Sequence, residues 1–180
     1  MKKILSVLLF VITVAAFSVN AQASKDAEKK AMLSVSDEEV VKFINAFPEF
    51  LKENKDLNPS DASSVTAAMT TIAANKDKWE AFAKDKGFTS YENFLKVTTA
   101  VTTAYAYQLL QHNSGQLEKQ IAKMPEAAQA IAKAQMKPAR EQINQYSKMI
   151  SPETLEVVKN HMDELQKVFI PAEKTKSKKK

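Results

Sequence analysis

His112 and His161 are the two histidines of the chain, and there is no cysteine. A catalytic zinc ion takes three protein ligands, and helical zinc sites pair histidines at i and i+4. Neither histidine has a second one at that spacing. The nearest carboxylate at the helical spacing of three or four is Glu164, three positions after His161, which makes no site by itself. Each histidine therefore reads as a core-edge or solvated residue. The lack of cysteine removes disulfides, thiolate zinc sites, iron–sulfur clusters and thiol nucleophiles together. The carboxylates fall where helices want them. Asp37, Glu38, Glu39 and Glu153 suit helix N-termini, while Glu156, Asp163 and Glu164 sit at ordinary solvated positions. A glycosidase needs one acid pair set apart from the rest, and none is singled out. Ser114-Gly115 lacks the second glycine of a nucleophile elbow and reads as a helix end; no glycine-rich phosphate loop exists. These residues predict no catalytic group, no metal and no cofactor.

The aromatic residues offer recognition chemistry instead. Trp79, Phe82, Phe88, Tyr91, Phe94, Tyr105 and Tyr107 crowd into one stretch. Such a cluster either packs a core or lines a groove for an apolar ligand or an extended polypeptide. On the groove reading, the candidate recognition surface is Trp79, Phe88, Tyr91, Tyr105 and Tyr107. Tyr105 and Tyr107 point about 200° apart on a helix, so one of them is expected to face a groove or solvent.

Helices are the elements that position these groups. Ser36-Asp37-Glu38-Glu39 is a capping box, followed by Val40, Phe43, Ile44, Phe47 and Leu51 at helical spacing. Pro48 predicts a kink or break in that run. Ser60 is placed to cap a second helix carrying Val65, Met69 and Ile72, and Asn75 a short third one through Trp79 and Phe82. Gly87 is expected as the left-handed residue that ends this helix, with Phe88 as its apolar contact.

Thr89-Ser90-Tyr91-Glu92 reads as a second capping box opening one long central helix over about 90–113, closed by Asn113-Ser114-Gly115. Four threonines inside it (Thr98, Thr99, Thr102 and Thr103) are mediocre helix formers, which predicts that tertiary packing holds it. Leu117, Ile121 and Met124 form a short amphipathic stretch. Pro125 opens a thin helix of alanines around Ile131, and Pro138 kinks it or starts another with Ile143, Tyr146 and Ile150. Ser151-Pro152-Glu153 starts a last helix with Leu155, Val158, Met162, Leu165 and Phe169 at steps of three and four. No stretch alternates like a strand, and two glycines leave little for hairpin turns. The expected fold class is all-α, a single compact bundle of five to seven helices over residues 35–170.

Both ends read differently from the body. Lys2 and Lys3, an apolar run to Val19 and the small-residue box Ala21-Gln22-Ala23 predict a signal peptide over 1–23, cut after Ala23. Residues 24–34 are expected to be a flexible lead-in, and 171–180 a disordered tail with Lys174, Lys176, Lys178, Lys179 and Lys180. That tail is simply solvated, attracts anionic lipid headgroups, or engages anionic polymers without specificity. Residues 24–170 hold 19 bases against 20 acids, so the net charge of +5 implies no basic face for specific nucleic-acid binding.

The run "WEAFAKDKGFTSYENFLKVTTAVTTAYAY" from Trp79 to Tyr107 resembles a pattern in small exported α-helical proteins of Gram-negative bacteria. Those proteins step through Gly-Phe-x-Ser-x-Glu-x-aromatic into a long alanine-rich helix. "LSVSDEEVVKFINAFPEF" and "ISPETLEVVKNHMDELQKVF" are similar to the flanking helices of that group. The resemblance implies export and a helical fold, and it carries over no functional residues. The expectation for function is a non-enzymatic periplasmic or secreted helical binding protein, an envelope accessory, chaperone-like or inhibitor-like module whose partner is an envelope protein or an extended polypeptide. The alternative is a carrier holding a small apolar ligand between helices. An enzyme with an unrecognised site is the third reading.

Overall fold

The computed structural model describes residues 32–54 and 74–169. The expected signal peptide, most of the lead-in, the helix placed after Ser60 and the lysine tail lie outside the described residues. Within them the chain is all-helical, with seven helices. These are α1 (Asp37–Glu53), α2 (Lys76–Asp85), α3 (Tyr91–Ile121), α4 (Glu126–Gln135), α5 (Lys137–Ser147), α6 (Pro152–Asn160) and α7 (Met162–Phe169). None of them is long and apolar enough to cross a membrane.

The capping signals explain the starts. The Ser36 hydroxyl accepts from the Glu39 N–H while the Glu39 carboxylate accepts from the Ser36 N–H, the reciprocal pair of a capping box. Pro48 lies inside α1 without ending it. Phe43, Phe47 and Phe50 anchor the helix on both sides of the proline, and their burial outweighs one lost backbone hydrogen bond. Ser151 caps α6 through the Thr154 N–H, with Pro152 at its first position. The second box is displaced by one residue. Ser90, not Thr89, caps α3 by accepting from the Asn93 N–H, and Glu92 turns outward to pair with Lys96.

Gly87 has φ 83° and ends α2 as expected. The Phe88 N–H bonds the Ala83 carbonyl and the Gly87 N–H bonds the Lys84 carbonyl, the two bonds of a Schellman cap. Gly115 does not end α3. The helix runs on through it to Ile121, about 46 Å at 1.5 Å per residue. One glycine costs a helix interior only about 1 kcal/mol, and burial of Ile121 one turn and a half later holds the last turns. Of the stretch read as a separate amphipathic segment, Leu117 and Ile121 belong to the end of this helix and Met124 lies beyond it. In the other direction the last expected helix is divided. A turn at His161 separates α6 from α7, although Val158 and Leu165 remain buried on one face.

Helix α3 is the axis. It touches α1, α2, α4, α5 and α6, while α1 also packs on α6 and α7. From Val97 to Ala106 every residue of α3 is buried, so this segment is enclosed on all sides. Small and β-branched residues fit such a channel, and the threonine hydroxyls need partners there. Thr98, Thr99, Thr102 and Thr103 donate to the carbonyls of Phe94, Leu95, Thr98 and Thr99 on their own helix.

An aromatic cluster fills one end of the core. Phe50 meets Trp79 at 5.0 Å and Phe94 at 5.3 Å between ring centroids, and Phe88 meets Phe94 at 5.1 Å. Each such side chain contributes about 1.5–3 kcal/mol through burial. Leu33, in the expected lead-in, is tied down. Its N–H donates to Met149 and its carbonyl accepts from Ser151, making a parallel bridge beside Ile150. The Val35 N–H then donates to the buried Thr154 hydroxyl at 2.9 Å, fastening the approach to α1 onto the start of α6.

Candidate binding face and a clamped histidine

Of the five aromatic residues offered by the sequence as a recognition surface, three are core. Trp79 is 3% exposed, and Phe88 and Tyr105 are likewise buried. Their rings are already taken up by contacts inside the core, Trp79 with Phe50, Phe88 with Phe94 and Tyr105 with Phe169. Tyr91 and Tyr107 are half-buried. The Tyr107 hydroxyl accepts from the Gln111 side chain at 2.6 Å on the outer side of α3, so of the pair Tyr105 and Tyr107 it is Tyr107 that turns outward. The five do not form one face.

Two buried hydroxyls have no hydrogen-bond partner among the described residues, those of Tyr91 and Tyr105. Burial pushes both phenols above their ordinary range, because the phenolate would lose its hydration. Tyr105 stacks 4.8 Å from Phe169, so its ring serves the contact between α3 and α7 while its hydroxyl gains nothing. The Tyr91 N–H donates to the Glu80 carboxylate at 2.9 Å; this bond, with Lys84 beside it, holds Glu80 below the usual carboxylate range and pins α2 to the start of α3.

His161 occupies the turn between α6 and α7 and is 17% exposed. Its Nδ1 lies 2.7 Å from Glu164 Oε2 and its Nε2 lies 2.8 Å from Asp37 Oδ1. The hydrogen bond to Glu164, then that to Asp37, raise the imidazole above its ordinary value. An imidazolium donating from both nitrogens has no lone pair left to accept a proton or bind a metal. When protonated, His161 is a charged clamp joining the start of α1 to the joint between α6 and α7. Sequence reasoning noted Glu164 and missed Asp37, since a partner 124 positions away leaves no spacing signal. Among the described residues, no group of three or more histidines and acids is placed to hold a metal ion.

The surface that stands out is α4. It has no buried residue, and Ile131 is 66% exposed, the most of any large apolar side chain described. At 100° per residue, Gln129, Ala132 and Met136 fall on one side, and these are the residues covered by the rest of the molecule. Ala127, Ala130, Ile131 and Ala134 fall on the opposite side, about 180° away, and all four are exposed. An amphipathic surface helix turns its apolar stripe inward; α4 turns it out. Met124, immediately before the helix, is also exposed. The signal was present in the sequence as a helix whose apolar residues are almost all alanine, too thin to demand a place in the core. Comparison of the chain with protein-family models, with curated proteins and with solved structures finds no match.

Proposed function

We propose that this protein is a non-enzymatic exported binding protein of the cell envelope, and that it engages a polypeptide through the outward stripe of α4. The carrying observation is the inversion of that helix. Ala127, Ala130, Ile131 and Ala134 leave apolar surface in water, which costs free energy until something covers it. The small side chains let another helix approach closely, and the enclosed segment of α3 with its aromatic cluster supplies a rigid support. The export signal read from Met1 to Ala23 supports a location outside the cytoplasm.

A photoreactive amino acid introduced at Ile131 in the expressing cell tests this. A defined polypeptide adduct is expected at that position and none at Lys96, which is exposed near the start of α3. Adducts at Ile131 no stronger than at Lys96 would remove the reading.

A further inference from the structure

We infer that the occupant of the α4 stripe is the same stripe of a second copy, packed antiparallel about a twofold axis between Gln129 and Ala130. The inference rests on reading the outer side of α4 as the binding face, and it adds the partner.

The apolar stripe has one large side chain, Ile131, between Ala127 and Ala130 on one side and Ala134 on the other. Two such helices can close to the short end of the usual 8–10 Å separation, with each isoleucine lying over the alanines of its mate. The charges choose the orientation. Glu126 and Lys133 stand on the same flank of the stripe, within about 20° of each other around the helix and about 10 Å apart along it. Both are exposed, and neither enters an ion pair among the described residues. A twofold axis perpendicular to α4 keeps that flank on the same side and reverses the helix direction. It therefore brings Glu126 of each copy beside Lys133 of the other, twice in one interface. A parallel arrangement puts the two flanks on opposite sides and pairs neither charge. The stripe is thus complementary to itself in one orientation.

Its size sets the strength. A ten-residue helix covers about 15 Å, so the contact falls well below the roughly 800 Å² per partner of a standard stable interface. The expected dimer is weak, with a dissociation constant on the order of 100 μM. A membrane surface is a poorer match, because such helices carry bulky aromatic residues and a basic polar face, whereas here an acid flanks a stripe of alanines.

Sedimentation velocity of the purified protein from about 10 μM to 1 mM is the test. Since α4 has no buried residue, its variants keep the fold, which far-UV circular dichroism checks. The wild type is expected to show reversible monomer–dimer exchange, and Ile131→Lys to stay monomeric throughout. Glu126→Lys alone and Lys133→Glu alone each bring like charges together, and each is expected to weaken self-association by about fivefold or more. The two single variants mixed in equal amounts, or both exchanges in one chain, are expected to restore it. A wild type that remains monomeric at 1 mM overturns the inference, as does a dimer indifferent to both charge exchanges. If the wild type is monomeric while position 131 still crosslinks a different polypeptide in the cell, the second copy is excluded and the binding reading stands. Absence of any specific adduct at position 131 removes the binding reading itself.

Discussion

His161 Nε2 lies 2.8 Å from Asp37 Oδ1, so a residue near the end of the described chain holds the first turn of the first helix. The same imidazole meets Glu164 at 2.7 Å on its other nitrogen. One side chain therefore fixes α1, the close of α6 and the start of α7 together. As a cation at the C-terminus of α6 it also complements that helix's dipole.

The clamp makes stability depend on pH. The pKa of His161 is raised in the folded state, so its contribution is fully present below the ordinary value of 6.5 and fades as pH rises through the higher folded value. His161→Gln is expected to cost about 0.5–1 kcal/mol at pH 5.5, and progressively less toward pH 8.5. Urea unfolding of both proteins across that range measures the difference. A gap that widens with pH would contradict the charged clamp.

The two glycines should respond to alanine with opposite signs. Gly87 has φ 83°, where a side chain is strained, and an added Cβ would also press on the Lys42 side chain at 3.3 Å. Gly87→Ala is expected to lose about 1 kcal/mol. Gly115 lies within α3 with no atom near an added Cβ, so Gly115→Ala is expected to gain about 0.5–1 kcal/mol. Chemical denaturation of the two variants side by side decides whether α3 passes through Gly115.

These helices show how far the sequence could be read. Caps and stops at Ser36, Gly87 and Ser151 act within a few residues and were legible. The end of α3 was not, because Gly115 and the stretch after it invite a stop that the burial of Ile121 overrides. The first aromatic reading had the same weakness. Composition located the cluster around Trp79, but only the packing of α1 against α2 and α3 shows that Phe50 closes it, against Trp79 and Phe94. Clamps such as His161 to Asp37 and Val35 to Thr154 span more than a hundred residues, beyond any local pattern.

Trp79 tests the assignment of that cluster to the core. It sits against Phe50, and against Phe82 at 5.6 Å, with the Lys78 ammonium 4.8 Å above its ring. Trp79→Ala is expected to destabilise by about 3–5 kcal/mol. A loss below about 1 kcal/mol in thermal or urea unfolding would return Trp79 to the surface and reopen a recognition role.

Tyr105 should behave unlike Trp79. Its ring packs on Phe169 but its buried hydroxyl has no partner among the described residues. Tyr105→Phe keeps the ring and removes an unsatisfied polar group, so stability is expected to hold or rise by up to about 1 kcal/mol. A loss of more than about 1 kcal/mol would reveal a partner for the hydroxyl.

The outward stripe of α4 is tested most directly by chemical access, since a chain without cysteine allows single reporters to be placed at will. Ile131→Cys, Ala134→Cys and Met136→Cys are treated with a maleimide at about 1 μM protein, where weak self-association is negligible. Cysteines at positions 131 and 134 are expected to react nearly as fast as in an unfolded chain, and the one at 136 many-fold more slowly. Slow labelling at 131 and 134 with fast labelling at 136 would mean that α4 faces the other way, and the binding face would be lost with it.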